Sequence, residues 1–356
     1  MSTKDPLTPT PHDALFKGIF SNPQHAASLL RNLFAQSPAT SPLLDKLDLS
    51  ALTPLSPELV DKSLRTRQAD LLFSVPFKRA QPHDEPLKQA VLYLMMEHLS
   101  SFPFRFICMH VLGRMLRFWE GLVQQNPDLP ALPVIVPVLI YHGQQPWRHG
   151  TQFAHEFDLP VDAQHRIFLP DFSIMLKDLQ SLDAQQIQSQ DMDLSAKTAL
   201  GMLKLPKELP LLEKQLPQWN QPMEALRSEQ HVEDLQMMLN YVIHQMVTRG
   251  LNVEQARERL AELLSPPLRS DMISLAQALE NKGEQRGLQL GIRQGKAEGE
   301  ARGKAQAVLA VLRARGFHPT SSEQKQILGC TELSKLEQWV RRAATVSTLS
   351  EVFGPN

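Results

Sequence analysis

Two acidic residues stand in apolar stretches of the sequence that have no evident need for a charge. Asp70 lies in the run 68–74 (QADLLFS) and Glu97 in the run 92–99 (LYLMMEHL), and both runs have the apolar and aromatic composition of β-strands. The segment 78–87 between them holds two prolines and is typical of a loop. An antiparallel hairpin around this loop would set Asp70 and Glu97 opposite or nearly opposite each other, with Cβ atoms about 5 Å apart.

Two carboxylates at that separation repel each other unless a cation or a proton lies between them. Carboxylate oxygens are preferred ligands of Mg²⁺, and one or two of them suffice because the ion keeps several of its waters. The pair therefore predicts a divalent-metal site. A second interpretation stays open, in which Asp70 and Glu97 are ordinary polar residues at strand ends, each neutralised by a nearby arginine.

The composition restricts the classes of protein to consider. The chain has 356 residues, of which 42% are hydrophobic and 21% charged, as expected for a globular protein of two or three domains. The net charge of −1 means that any DNA-binding surface has to be local. Two distant cysteines, Cys108 and Cys330, exclude a disulfide framework and favour a cytoplasmic location. The N-terminus lacks the apolar core of a signal peptide, and no apolar run is long enough to span a membrane.

The elements that must position the acidic pair follow from the spacing of apolar residues. Residues 1–11 contain three prolines and are expected to be mobile, and 36–57 is expected to be a long connection. The predicted order is helix, strand, strand, strand, helix, strand, which is an α/β arrangement. The helices are predicted at 13–20, 23–34 and 104–123, and the strands at 58–64, 68–74, 92–99 and 132–141, with a further short strand at 165–169.

The rest of the chain is predicted to be helical. Residues 177–282 are expected to form several helices separated by prolines. In 283–303, glycine recurs at every fourth position among charged and glutamine residues, which fits either a helix in close contact with another helix or a flexible linker. Residues 304–356 are expected to form a small helical module with Trp339 in its core.

Several blocks of the first 170 residues carry a resemblance to a known family. The blocks are HDALFK (12–17), VDKSLR (60–65), ADLLF (69–73), EHLSS (97–101), PFR (103–105), RFWE (117–120), LPVIVPVLIYHGQQPW (132–147) and FLP (168–170). On these blocks the chain resembles the Rpn family of recombination-promoting, transposase-like nucleases, which belongs to the PD-(D/E)XK nuclease superfamily.

The resemblance implies a restriction-endonuclease-like αβββαβ core at 12–176, followed by the all-helical C-terminal region. It also implies a DNA endonuclease that depends on Mg²⁺ or Mn²⁺ and takes part in recombination or in mobile-element or phage biology. Asp70 and Glu97 match the metal-binding acids of the family. Asp61 lies in a matching block as well, either as a further catalytic residue or as the partner of a neighbouring arginine.

Leu99 departs from the family pattern, which has a glutamine or lysine two residues after the glutamate. A leucine can neither orient a water nor neutralise charge, and the missing group could come from Lys17, Lys62 or Arg105. The alternative function is that of a catalytically impaired homologue, which binds DNA or regulates without cutting.

Basic side chains flank the predicted hairpin and could contact DNA phosphates, although they could equally be ordinary solvated charges. The candidates for DNA binding are Lys62, Arg65, Arg67 and Arg105, together with His142 at the end of the last core strand. Cleavage of duplex DNA commonly needs one active site for each strand, so a homodimer is expected. The glycine repeat and the C-terminal helices are its expected contacts.

Overall fold

The structure is a computed structural model that describes residues 10–354 with gaps. The gaps are 37, 39, 56–69, 79–89, 98–105, 144, 158–169 and 229, and only the backbone is described at Asp70, at 90–97 and at 275–294. The chain divides into two compact units, Met1–Met272 and Ile273–Asn356.

One five-stranded sheet lies in the first unit. Its strands are β1 (Thr53–Pro54), β2 (Asp70–Val75), β3 (Ala90–Glu97), β4 (Ile135–Tyr141) and β5 (Met175–Asp178). The strands follow one another across the sheet in sequence order. The pairs β1–β2 and β2–β3 are antiparallel, whereas β3–β4 and β4–β5 are parallel. The fold is therefore α/β with a small mixed sheet among many helices.

The first unit contains ten complete helices in the described part of the chain and the start of an eleventh. They are α1 (Pro11–Phe20), α2 (Pro23–Ala35), α3 (Ser41–Lys46), α4 (Ile107–Gln125), α5 (Ala184–Gln188), α6 (Leu194–Leu203), α7 (Leu209–Gln215), α8 (Asn220–Ala225), α9 (Val232–Val247), α10 (Val253–Leu263) and α11 (Pro266–Ala314). The order of α1, α2, β2, β3, α4 and β4 is the order that the sequence predicts for these elements, whereas β1 is not a predicted strand. No helix in the described residues is long and apolar enough to cross a membrane.

Helix α4 connects the parallel strands β3 and β4 and packs against the sheet. Its apolar face, which includes Ile107, Val111 and Met115, is buried in one cluster with Leu72 of β2 and Leu139 of β4. Parallel strands need a long crossover, and here a helix supplies it. Strand β4 is buried on both faces, which explains why its sequence is apolar without alternation.

Helix α1 begins where the sequence provides a capping box. The Thr10 hydroxyl accepts a hydrogen bond from the Asp13 backbone N–H (3.3 Å), and the Asp13 carboxylate accepts from the Thr10 backbone N–H (3.2 Å). Pro11 occupies the first helical position, where its missing N–H has no consequence. These contacts fix the helix start and hence the position of His12, the second residue of α1.

The second unit is a small helical module around the end of α11. It also contains α12 (Ser321–Leu328), α13 (Leu333–Thr345) and α14 (Leu349–Phe353). Trp339 is 4% exposed and belongs to the core of this module, as the sequence predicts. The glycine repeat lies within α11, and a Cβ atom added at Gly295, Gly299 or Gly303 would meet no atom of the described residues within 4 Å, apart from the adjacent backbone of the helix itself.

Some elements differ from the prediction. The stretch 36–57, predicted as a connection, contains α3 and β1. The strand predicted at 58–64 and the one predicted at 165–169 lie outside the described residues. Strand β5 was not predicted, because it has four residues and two of them, Lys177 and Asp178, are charged.

Candidate active site at one edge of the sheet

Asp70 and Glu97 lie close together in the register of the sheet. Asp70 is the first residue of β2 and pairs with Met95 of β3, and Glu97 is two residues further along β3. Positions two apart on a strand belong to the same face, so the two acids hold diagonal positions on one face. Such positions are about 7–8 Å apart. The predicted pairing differs by two residues, because the long proline-containing loop does not fix the register as a two-residue turn would.

The ends of the parallel strands meet at the same edge. Glu97 pairs with Tyr141 at the end of β4, and Tyr141 pairs with Asp178 at the end of β5. The amino end of β2 reaches this edge because β2 runs antiparallel to β3. We call these strand ends, with Asp70, Glu97, Tyr141 and Asp178, the acidic edge. Ligand and catalytic sites in sheets with parallel strands commonly lie at the carboxyl ends of the strands.

Asp178 anchors the loop that follows β4. Its carboxylate accepts hydrogen bonds from the backbone N–H groups of Trp147 (3.1 Å) and Gln180 (2.9 Å). The Tyr141 hydroxyl donates to the Gln145 carbonyl (2.6 Å), and burial, together with the charge of Asp178, raises the pKa of Tyr141. The Asp178 carboxylate is thus committed to two backbone donors, which suits a structural role.

Helix α1 brings a histidine next to His142, the residue that follows β4. His142 follows Tyr141 directly and is 7% exposed, and the centroid of its ring lies 4.9 Å from that of His12. The His12 Nδ1 atom lies 2.8 Å from the hydroxyl oxygen of Tyr241, which is in α9 and 3% exposed. His12, His142 and Tyr241 therefore form a connected group, which we call the histidine–tyrosine cluster.

Comparison with known proteins shows the family. A family model described as "Putative transposase, YhgA-like" matches residues 10–237, which is more than half of the chain. The chain belongs to this family. The match confirms the resemblance that the sequence blocks indicate.

Three curated relatives are similar to part of the chain. Recombination-promoting nuclease RpnD of Escherichia coli O157:H7 is 29% identical over 161 residues, 44% of this chain and 55% of the relative. Inactive recombination-promoting nuclease-like protein RpnE of E. coli K12 is 28% identical over 160 residues, which are 44% of this chain and 48% of the relative. Recombination-promoting nuclease RpnA of the same strain is 30% identical over 136 residues, which are 38% of this chain and 40% of the relative. The chain thus spans about half the length of these relatives. No solved structure matches it.

Five other predicted site residues lie outside the described residues: Asp61, Lys62, Arg65, Arg67 and Arg105. Leu99 lies outside them as well. Lys17 is half-buried in α1, five residues after His12. Five residues correspond to about 140° around a helix, so Lys17 does not share the helix face of His12.

The sequence analysis missed a buried polar cluster elsewhere in the family region. His25 of α2 is 3% exposed, and its two ring nitrogens lie 3.0 Å from carboxylate oxygens of Asp193 and Asp234. The Ser195 hydroxyl donates to the same Asp234 oxygen (2.5 Å), and His231 Nδ1 lies 3.6 Å from it. These five residues, the His25 cluster, connect α2, the start of α6 and α9.

The two carboxylates of the His25 cluster determine the protonation state of His25. Burial by itself would lower the pKa of His25, but the hydrogen bonds and charges of Asp193 and Asp234 outweigh it and raise that pKa to about 9. Burial would likewise raise the pKa of both carboxyls, but their hydrogen bonds with His25 lower it. His25 is therefore an imidazolium at neutral pH, between two carboxylates.

The His25 cluster also contains residue types that bind metals. Possible ligand atoms of His25, His231 and Asp234 all lie within 4.8 Å of one another. A carboxylate oxygen lies 3.0 Å from each ring nitrogen of His25, and the raised pKa of His25 favours a proton over a metal at these nitrogens. We interpret the His25 cluster as an ion-pair network that holds three helices together.

Proposed function

We propose that the protein is a metal-dependent DNA endonuclease whose active site is the acidic edge. The observation that supports this most is the register of β2 and β3, which brings Asp70 and Glu97 to neighbouring positions on one face. The names of the relatives RpnD and RpnA also support it. The element order α1, β1, β2, β3, α4, β4 supports a restriction-endonuclease-like core.

The chemistry of the two acids fits a Mg²⁺ or Mn²⁺ ion. Both offer hard carboxylate oxygens, and at diagonal positions the longer glutamate side chain could reach an ion that the aspartate also binds. Asp70 and Glu97 would hold the ion, with Asp61 as a further candidate. Once bound, a divalent cation stabilises the charge that develops on the scissile phosphate and activates a water.

The DNA contacts of the proposed enzyme are basic. Lys62, Arg65, Arg67 and Arg105 would bind phosphates of the DNA. His142, the fifth candidate, is 7% exposed and packs against His12 at the end of β4, so it has little surface to offer to a substrate. A homodimer would provide one acidic edge for each DNA strand. We place this reaction in the cytoplasm, consistent with two cysteines that form no disulfide.

A second candidate function is DNA binding or regulation without cleavage. The observations that favour it are Leu99, which lacks the polar atom of the family pattern, and the 28% identity to a relative named inactive. In this case Asp70 and Glu97 would still bind the ion.

Incubation of the purified chain with supercoiled plasmid tests the proposal. Cleavage should require Mg²⁺ or Mn²⁺ and stop with EDTA. Asp70→Asn and Glu97→Gln should each lower the rate at least about 100-fold, because loss of a metal ligand costs several kcal/mol of transition-state stabilisation. Asp128→Asn is the matched control, since Asp128 is an exposed carboxylate in the loop after α4.

Two outcomes would contradict the endonuclease proposal. Cleavage that persists in Asp70→Asn would come from a contaminant or another site. A gel shift of DNA by the unmodified chain, with no cleavage under either metal, would favour the second function.

A further inference from the structure

We propose that the second unit is a DNA-binding module and that α13 is the helix that contacts the major groove of duplex DNA. This contact belongs to the other unit from the acidic edge. It does not require that the chain cleave DNA, so it applies under both of the candidate functions above.

Helices α12 and α13 have the dimensions of a helix–turn–helix motif. Helix α12 has eight residues and α13 has thirteen, and they are joined by the four residues 329–332, of which Gly329 is the first. The turn of such a motif has three or four residues and often contains glycine. In DNA-binding motifs of this type the second helix lies in the major groove, and the first crosses the phosphate backbone. The same arrangement here would place α13 in the groove.

A shared core fixes the orientation of α13 within the module. Val308 and Leu312, near the end of α11, form one buried cluster with Ile327 of α12 and with Leu336 and Trp339 of α13. The cluster thus defines the inner side of α13. The opposite side of the helix is directed to solvent.

The solvent side of α13 carries residue types that contact DNA bases. Ser334, Arg341 and Thr345 are exposed there, and Gln338 between them is half-buried. Arg341 and Thr345 follow Ser334 by seven and eleven residues, so the three lie within about 40° around the helix and extend along about 16 Å. That length corresponds to about five base pairs. Arginine commonly binds guanine through two hydrogen bonds in the major groove, and serine and threonine contact several bases.

Charge distinguishes the second unit from the first. Residues 273–356 contain 12 Lys and Arg and 8 Asp and Glu, a net charge of +4, whereas residues 1–272 contain 25 and 30, a net charge of −5. Glu337, the one acidic residue in the sequence of α13, forms an ion pair with Lys304 of α11. Because a chain of net charge −1 needs a local DNA-binding surface, this charge distribution favours the second unit.

The exposed residues divide into base contacts and phosphate contacts. Arg341 lies within the outer face of α13 and is the expected base contact. Lys325 of α12 and Lys335 in the first turn of α13 are exposed and are the expected phosphate contacts. The Lys335 Nζ atom lies 5.7 Å from the centroid of the Trp339 ring, which stabilises the position of this ammonium group. Base contacts give sequence preference, whereas phosphate contacts give affinity that falls with salt.

The experiment measures binding of labelled short duplexes to the full chain by fluorescence anisotropy, in EDTA so that metal-dependent cleavage does not interfere. The specific probe is a duplex enriched by the unmodified chain from a random-sequence pool, and the unselected pool is the non-specific probe. Arg341→Gln should lower the affinity for the specific probe about 10-fold and for the pool less than about threefold. The variant should therefore lose most of the sequence preference.

Loss of a phosphate contact should have a different signature. Lys325→Gln and Lys335→Gln should each lower the affinity for both probes about threefold and reduce the slope of log affinity against log salt by about 1. Arg302→Gln is the matched control, because it removes the same charge from an exposed position on α11 and should change either affinity less than about twofold. The melting temperature should not change in any of these variants, since all four side chains are exposed.

Each contrary result has a distinct meaning. If the α12 and α13 variants bind DNA as well as the unmodified chain, or if the unmodified chain binds neither probe, the inference is wrong. Equal losses in Arg341→Gln and Arg302→Gln would indicate diffuse charge attraction and would also refute it. An altered mass of Arg341→Gln in light scattering, with DNA binding intact, would mean that this face contacts another protein instead. A chain that binds DNA through α13 but does not cleave plasmid would support the inference and contradict only the endonuclease proposal.

Discussion

Replacement of His25 by glutamine should change the pH dependence of stability in a direction that the His25 cluster fixes. The substitution removes the positive charge that lies 3.0 Å from carboxylate oxygens of both Asp193 and Asp234. Two buried carboxylates then lack their cation. Removal of one partner from a buried ion pair typically costs about 3–5 kcal/mol, so we expect a loss of this size near pH 6.

The magnitude at other pH values follows from proton binding. The pKa of His25 is 6.5 for the free side chain and about 9 in the folded protein. Each tenfold change in proton affinity is worth about 1.4 kcal/mol, so proton binding by His25 contributes about 3 kcal/mol to the free energy of unfolding. Because the folded-state pKa is the higher one, this contribution is complete below about pH 6.5 and is lost as the pH rises through about 9.

Other groups titrate in the same range, so the difference between the variant and the unmodified chain is the quantity to compare. Burial lowers the pKa of Lys177 to about 8. Between about pH 8 and pH 10.5, Lys177 is neutral in the folded chain and charged in the unfolded chain, so its contribution to stability rises with pH over this range. Asp193 and Asp234, whose pKa values are lowered, contribute above about pH 4 and lose that contribution in acid. The effect of Lys177 is common to both chains, and the effect of the two carboxyls, which depends on His25, changes only in acid, outside pH 6–9.

The assay is urea unfolding, followed by tryptophan fluorescence, at pH 6 and pH 9. The gap between the unmodified chain and His25→Gln should be about 3–5 kcal/mol at pH 6 and should narrow by about 3 kcal/mol at pH 9. His244→Gln, an exposed histidine of the same helix as Asp234, should show no gap at either pH. A gap that stays constant from pH 6 to pH 9 would refute the reasoning. A loss of stability on addition of EDTA would instead indicate a bound metal.

Three further predictions follow from local packing. A Cβ atom at Gly201 would overlap the buried ring of Trp219, so Gly201→Ala should destabilise the first unit by about 1–3 kcal/mol in urea unfolding. Gly299→Ala, in an open position of α11, should instead raise the helix content seen by circular dichroism and stabilise the helix by about 1 kcal/mol. In a thiol titration of the folded chain Cys330 should react and Cys108 should not, because Cys108 is fully buried and burial raises its pKa to about 12. The second thiol should react once urea is added, and two fast thiols without urea would contradict the prediction.

The sequence predicts the strands of the acidic edge well and their pairing less well. The runs that form β2, β3 and β4 are apolar and bounded by prolines or polar residues, and each observed strand lies within three residues of its predicted ends. The register of Asp70 against Met95 was not predictable, because a long loop allows several pairings that keep the same face buried. Strand β5 holds only two apolar residues, Met175 and Leu176, before the charged Lys177 and Asp178.

Long-range polar contacts leave no periodic signal. His25 and Asp234 are 209 residues apart in the sequence, and His12 and Tyr241 are 229 apart. Apolar periodicity shows which face of α2 or α9 is buried, but it does not show that a histidine within that face will meet a carboxylate from a distant helix. The sequence therefore predicted the acidic pair and singled out His142, but it missed the His25 cluster and the contacts that join His142, His12 and Tyr241.

One face of α9 connects the two histidine clusters to the sheet. Asp234 and Tyr241 are seven residues apart, close to two helical turns, so they lie on the same side of α9. Through Asp234 this face binds His25 of α2, and through Tyr241 it contacts His12 of α1. The amino end of α1 is thus held beside His142, at the end of β4, by a helix that follows all five strands in the sequence. Substitution of Tyr241 in α9 should consequently change the position of His12 against His142.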